Sequence, residues 1–141
     1  MNYLADVNVW LAMALIGHVH QTSAQRWFED PDIQTIGFCR ITQNGFLRLL
    51  TNPQVMGANV VSAAEAWRLY DAFCQDSRVR QLPEPPGLES EWRTQAAGQL
   101  RGPNFWTDAY LAAFASAADL TIVTFDRGFA RRKGVSVRVL A

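Results

Sequence analysis

The sequence has few cysteines and lacks any long hydrophobic run. Its two cysteines, Cys39 and Cys74, lie far apart, which excludes a compact zinc knuckle and a disulfide framework. No apolar stretch approaches the roughly 20 residues that a membrane span requires. The first residues also lack a basic segment followed by a cleavable apolar one. We therefore expect a cytoplasmic protein with no membrane segment.

Net charge is absent as well, because 13 basic residues balance 13 acidic ones. This balance gives no global field that would attract nucleic acid or an anionic membrane. The apolar content of 49% is high and the charged content of 18% is moderate, so the chain can bury a substantial core. Its 141 residues match the size at which one core commonly closes, so we expect a single domain over residues 1–141.

The hydrophobic pattern alternates between short strands and helical segments. Strands are predicted at residues 3–7, 33–38, 79–82, 121–125 and 135–140. Helices are predicted at residues 9–16, 21–29, 42–50, 62–75, 89–100, 107–118 and 126–132. Strands separated by helices are typical of the α/β class, with a central and mainly parallel sheet.

Three aspartates fall where this fold would bring them together. Asp6 and Asp126 each end a strand, and the carboxyl ends of parallel strands share the edge at which ligands bind. Asp108 begins the apolar stripe of helix 107–118, which should face the sheet. Carboxylates at one edge repel each other unless a cation lies between them, and Mg²⁺ or Mn²⁺ prefers such oxygen ligands. The alternative is that each aspartate only caps a helix or complements its dipole.

Two small polar residues accompany the acids. Asn8 lies two positions after Asp6, and Thr124 lies two positions before Asp126. Either side chain is suited to orient a carboxylate or to hold a metal-bound water. Capping of the local backbone is an equally good explanation.

Basic residues concentrate near the end of the chain, and no acid lies among them. The cluster contains Arg127, Arg131, Arg132, Lys133 and Arg138. Such a cluster is usually a solvated face, but it is also the pattern of a phosphate-binding rim.

Two other classes of function fit poorly. A zinc site would have to combine His18 and His20 with the scattered cysteines, whereas zinc sites use tighter spacing. A receiver-type phosphoacceptor needs an acidic pair and a lysine near the site, and a dehalogenase-like phosphatase needs the pattern Asp-x-Asp. Here Asn8 stands where the second acid would be, and the only lysine is Lys133.

Four segments together resemble one family. They are LADVNVWLA, ITQNGFLRLLTNP, WTDAYLAAFA and TIVTFDRGF, and they span nearly the whole chain. In this order they resemble PIN-domain proteins of the VapC toxin type, the ribonuclease halves of bacterial toxin–antitoxin pairs. The resemblance implies a PIN-like three-layer α/β/α sandwich. By position, Asp6, Asp108 and Asp126 match the metal-binding acids of the family, and Asn8 and Thr124 match the polar residues beside them.

The sequence departs from the family at one point. The family often has a glutamate on the helix after the second strand, roughly where Gln43, Asn44 and Gly45 stand here. An amide or a water would then replace the carboxylate, and cation affinity should fall. This departure leaves open a catalytically weak or inactive PIN-like domain that binds RNA or protein.

The resemblance implies a Mg²⁺-dependent endoribonuclease that hydrolyses RNA, with tRNA or rRNA as expected substrates. Gln43 or Asn44 would position the attacking water, and the flanking phosphates would be bound by Arg127, Arg131 and Arg132. Trp106 is either a base-stacking residue or, more simply, a core or dimer-interface aromatic. The expected partners are a VapB-type antitoxin and a second copy of the chain.

Overall fold

A parallel sheet organises the fold, which a computed structural model describes for residues 1–98 and 102–141. The strands in these ranges are β1 (Asn2–Ala5), β2 (Thr35–Phe38), β3 (Val79–Gln81), β4 (Thr121–Thr124) and β5 (Ser136–Val139). They are ordered β3-β2-β1-β4-β5, and every neighbouring pair is parallel. The predicted α/β class is confirmed.

The helices connect successive strands. In the described ranges they are α1 (Val7–Ala14), α2 (Gln21–Phe28), α3 (Arg40–Leu50), α4 (Pro53–Met56), α5 (Ala63–Cys74), α6 (Leu88–Gln95) and α7 (Phe105–Ala117). Short 3₁₀ turns cover Gly57–Asn59 and Arg127–Arg131, the second in place of the predicted helix 126–132. None of the described helices is long and apolar enough to cross a membrane.

The extra helix α4 and the end of α6 depart most from the predicted helices, whose other boundaries shift by one or two residues. The sequence does not predict α4, because Asn52 and Pro53 appear only to end the preceding helix. In the structure Asn52 also caps a new turn, since its side-chain oxygen accepts from the Gln54 amide at 3.0 Å, and Pro53 takes the first helical position. Helix α6 ends at Gln95, and the predicted end at residue 100 lies outside the described residues.

Helices cover both faces of the sheet and form two cores. On one face Tyr3 and Ala5 of β1 join a cluster with α1, α2, α3 and α5, in which the rings of Trp10 and Phe38 stack with centroids 3.7 Å apart. On the other face Leu4 packs into a cluster formed mainly by α7. Alternate residues of β1 therefore face opposite layers, as expected for a sheet between two helical layers.

One close contact between helices shapes the edge of the sheet. Gly45 of α3 lies against Val7 of α1, and a Cβ atom at position 45 would come within 2.9 Å of Val7 Cγ2. Only glycine therefore permits this approach. It places the exposed face of α3 beside the end of β1, where Asp6 follows Ala5.

Candidate active site

A hydrogen-bonded network joins the ends of the two central strands. Asp6 caps α1, because its Oδ1 accepts from the Val7 amide at 2.7 Å. Thr124, at the end of β4, donates its hydroxyl to Asp6 Oδ2 at 2.8 Å. The same hydroxyl oxygen accepts from the Asp126 amide at 3.0 Å. Asp6 therefore caps α1 with one carboxylate oxygen, while the Thr124 hydroxyl orients the other.

Asn8 completes this network from the first turn of α1. Its Nδ2 donates to Thr124 Oγ1 at 3.3 Å, and its Oδ1 accepts from the Phe125 amide at 3.3 Å. Thr124 is fully buried, so its hydroxyl depends on these protein partners for its hydrogen bonds. The structure thus brings together Asp6, Asn8 and Thr124, as the sequence predicts.

The third aspartate comes from the first turn of α7. Asp108 lines one cavity of about 450 Å³ together with Asp6 and Asp126, and we call this cavity the acidic cleft. Its other lining residues are Val7, Asn8, Leu11, Ile41, Asn44, Gly45, Arg48, Leu49, Asn104 and Thr107. Asp126 is exposed and caps the 3₁₀ turn, because its Oδ1 accepts from the Gly128 amide at 2.8 Å.

Two acids of the cleft, Asp6 and Asp108, have raised pKa values. Burial raises the pKa of Asp108 to about 6, repulsion from Asp6 and Asp126 adds to the rise, and Arg132 opposes it. Burial also raises the pKa of Asp6, while the hydrogen bonds from Thr124 and Val7 act in the opposite direction. None of the three aspartates has an ion-pair partner in the described part of the chain. A cation in the cleft would relieve this repulsion.

The donor set fits a hard divalent ion. Asp6, Asp108 and Asp126 present carboxylate oxygens, which suit Mg²⁺ or Mn²⁺ better than softer metals. Among residues 1–98 and 102–141, however, no three acidic, histidine or cysteine side chains are gathered closely enough to hold one ion. The three aspartates therefore have suitable ligand atoms and line one cleft. Their side chains would have to move closer together to bind one ion jointly.

Helix α3 forms a further wall of the acidic cleft, and it corrects one prediction. Asn44 lines the cleft, but Gln43 does not. Gln43 is only 6% exposed, and its Oε1 accepts from Arg40. Asn44 is exposed whereas Gln43 is buried, so only Asn44 of the two amides reaches the cleft. Arg48 lies one turn beyond Asn44 on the same face, a position in the cleft that the sequence did not predict.

A second cavity adjoins the acidic cleft and shares Asp108 and Asp126 with it. This cavity of about 650 Å³, the basic hollow, is also lined by Arg131, Arg132 and Lys133. Arg132 donates to the backbone oxygen of Gln95 at 3.4 Å, which ties this side chain to the end of α6. Of the three predicted RNA-binding arginines, Arg127 lines neither cavity. As the first residue of the 3₁₀ turn, it is exposed outside both of them.

The first turn of α7 presents different residues on its two sides. Asn104 and Thr107 face the acidic cleft with Asp108, and their i−4 and i−1 spacing from this acid is the signal that would have found them. Trp106 lies two positions before Asp108, so it points away. It is 59% exposed and lines a separate hollow with Trp92, Glu89 and Arg93. It is therefore neither a core aromatic nor part of the acidic cleft.

Comparison with known proteins places this geometry in a family. The sequence pattern of the family described as "PIN domain" matches residues 3–135. Ribonuclease VapC41 of Mycobacterium tuberculosis is 44% identical over 143 residues, covering 98% of each chain. The chain belongs to the VapC-type PIN domains. Ribonuclease VapC44 of the same organism is 33% identical, over 92% of this chain and 89% of that one.

Solved structures show the same fold. VapBC2 from Rickettsia felis, bound to a DNA fragment from its promoter, aligns with a TM-score of 0.73 at 18% identity, and the match covers 100% of both chains. Mycobacterium tuberculosis VapC20, described as a sarcin-ricin loop cleaving toxin, aligns with a TM-score of 0.65 at 21% identity, over 96% of this chain and 99% of that one. The three-layer VapC-type PIN fold is thus confirmed.

Proposed function

We propose that this VapC-type PIN domain is a Mg²⁺-dependent endoribonuclease and the toxin of a type II toxin–antitoxin pair. The observation that carries the proposal is the meeting of Asp6, Asp108 and Asp126 in one cleft beside a basic hollow. Its relatives named ribonucleases, at up to 44% identity among those compared, support the reaction class.

In this proposal Asp6 and Asp108 hold Mg²⁺, with Asp126 binding it directly or through water, and Mn²⁺ is a substitute. The bound ion would acidify the attacking water and neutralise charge on the phosphate during hydrolysis. Thr124 fixes the Asp6 carboxylate by its hydrogen bond, and Asn8 fixes Thr124 in turn. Such outer hydrogen bonds commonly orient metal-binding carboxylates.

Asn44 is the remaining candidate to position the attacking water. It lines the acidic cleft, whereas Gln43 is bonded to Arg40. An amide supplies both a donor and an acceptor, so it can orient a water without adding negative charge. The water oxygen would bond to phosphorus while the bond between phosphorus and the leaving ribose oxygen breaks. The proton that the water loses passes to solvent, and the leaving oxygen takes up a proton from solvent.

The substrate is proposed to be RNA, with tRNA or rRNA as the expected class. The supporting feature is the basic hollow, in which Arg131 and Arg132 lie beside the catalytic acids and present guanidinium groups suited to phosphate. We retain Arg127 as an outer contact only, because it lines neither cavity.

The test is incubation of the purified protein with total RNA while Mg²⁺ is titrated, followed by mapping of the product ends. We expect cleavage at discrete positions that requires Mg²⁺, stops with EDTA and returns with Mn²⁺. The matched inactive protein is Asp108→Asn. Cleavage that persists in EDTA, or in the Asp108→Asn protein, would contradict the metal-dependent mechanism.

A second candidate is a PIN-like domain that binds RNA without cleaving it. It is favoured by the missing acid on α3: a Cβ atom at position 45 would lie 2.9 Å from Val7 Cγ2, so position 45 has no room for a glutamate. Retention of RNA on the protein without any product, at saturating Mg²⁺, would favour this candidate over the nuclease.

We also propose a VapB-type antitoxin and a second copy of the chain as partners. The supporting surface is an apolar hollow of about 480 Å³, whose rim includes Leu15, Ile16, Val55 and Leu69. Ile16 is 97% exposed and Val55 is 53% exposed, so together they form an exposed apolar patch of the kind that partners cover. Co-purification with the cognate antitoxin should fail for Ile16→Asp, and light scattering of the free protein should report a dimer.

A further inference from the structure

Arg48 is a charged residue of the acidic cleft that the proposed mechanism does not use. It lies in the last turn of α3, three positions after Gly45 and four after Asn44, so all three share one face of the helix. Three other basic residues near the aspartates, Arg131, Arg132 and Lys133, belong to the end of the 3₁₀ turn and the residues after it, and they line the basic hollow instead. Positively charged side chains therefore lie near the catalytic acids on two separate elements, α3 and the segment that begins with the 3₁₀ turn.

The guanidinium of Arg48 is available to a ligand. Although three carboxylates line the same cleft, Arg48 forms no ion pair with any side chain in the described ranges. The side chain of Arg48 is exposed, so it is not packed into the core. A planar guanidinium with free donors binds phosphate through two parallel hydrogen bonds.

The arrangement favours a phosphodiester strand over an acidic protein segment. Both are anionic, but an acidic segment has no regular spacing of charges to match the arginines beside Asp6, Asp108 and Asp126. A nucleic acid strand carries phosphates at regular intervals, so one strand across the aspartates can meet Arg48 on one side and Arg132 on the other. The scissile phosphate would then lie between them, at the acids.

We infer that Arg48 binds the RNA phosphate next to the scissile bond, on the side opposite the basic hollow. This inference rests on the proposed nuclease function and adds a substrate contact to it. Arg48 acts on binding, so its loss should affect KM more than kcat. Each phosphate contact also releases counterions, so its loss should flatten the salt dependence of RNA affinity.

The test compares Arg48→Gln and Arg48→Lys with Arg26→Gln, an exposed arginine on α2 that lines none of the cavities described above. Cleavage of total RNA gives KM and kcat. Binding of a labelled single-stranded RNA of mixed sequence is measured at several salt concentrations in the Asp108→Asn background. Circular dichroism and the thermal midpoint confirm that each variant is folded.

We expect Arg48→Gln to raise KM about tenfold and to lower the slope of log affinity against log salt by about 0.7–0.9. Arg48→Lys should keep the slope but only partly restore KM, because it has the charge without the planar fork. Arg26→Gln should match the parent. A parent that cleaves no RNA contradicts the nuclease function itself. If the parent cleaves while Arg48→Gln shows the parent's KM and slope, only the inference is overturned. An Arg48→Gln protein that binds RNA normally but no longer binds the antitoxin also overturns it, in favour of a protein partner.

Discussion

Replacing Asp108 with asparagine should abolish cleavage and at the same time stabilise the folded protein. The pKa of Asp108 rises from its ordinary value of 3.8 to about 6, because of burial and repulsion from Asp6 and Asp126. At 1.36 kcal/mol for each pKa unit, this rise corresponds to about 3 kcal/mol against the ionised form. Since the side chain is partly exposed, we discount the effect to about 1–2 kcal/mol. The thermal midpoint of Asp108→Asn should therefore lie about 3–7 °C above that of the parent near neutral pH.

The predicted stabilisation should depend on pH, and the direction of this dependence follows from the raised pKa of Asp108. A carboxyl group with a raised pKa holds its proton more tightly in the folded state than in the unfolded state. The parent therefore loses stability as pH rises from about 4 to about 6, whereas the asparagine variant does not. The difference between the two proteins should be full above about pH 6 and absent below about pH 4.

The assay is thermal unfolding in EDTA across this pH range, with Asp32→Asn as the matched control. Asp32 is an exposed aspartate in a turn, outside all the cavities described, so its replacement should leave the midpoint unchanged. Added Mg²⁺ should then raise the midpoint of the parent and not that of Asp108→Asn. An equal or lower midpoint for Asp108→Asn in EDTA at neutral pH would refute the electrostatic reasoning.

Three further substitutions test other contacts of the site. Thr124→Val removes the hydroxyl that bonds to both Asp6 and the Asp126 amide. Chemical unfolding should show a free energy of unfolding lower by about 1–3 kcal/mol, and cleavage should fall. Thr124→Ser keeps the hydroxyl, so it should retain both stability and cleavage. Gly45→Ala should cost about 1–3 kcal/mol through the contact with Val7, and a second change, Val7→Ala, should recover much of it; no recovery would place the strain elsewhere. Asn44→Glu restores an acid to the cleft, so calorimetric titration should show tighter Mg²⁺ binding, and unchanged affinity would contradict its assigned position.

The sequence could predict residues whose position depends on the sheet alone. Asp6 and Thr124 lie at the ends of adjacent parallel strands, so their meeting follows once the strands are identified. The apolar pattern of α7 does not fix the direction of Asp108, because the seven residues that follow it are all buried. Its place beside the strand ends follows from its position in the first turn of this helix. The metal, the RNA contacts and the partners stay predictions.

Residues whose position depends on how helices cross could not be predicted as well. The choice between Gln43 and Asn44, and the presence of Arg48 in the cleft, are set by the rotation of α3 about its axis. That rotation is fixed by the contact between Gly45 and Val7, which are distant in the sequence. Local sequence patterns carry no information on such a contact. Matching the motifs of this chain to those of the family therefore does not decide which residues of α3 face the acidic cleft.

The placement of β1 between β2 and β4 has a consequence for synthesis of the chain. Asp6 emerges first from the ribosome, but its hydrogen-bond partner Thr124 follows 118 positions later. An unfinished polypeptide that ends before β4 lacks both this partner and Asp126, whatever else has already folded. If the proposed nuclease function holds, we expect such an unfinished copy to cleave no RNA, so that only the completed protein needs an antitoxin.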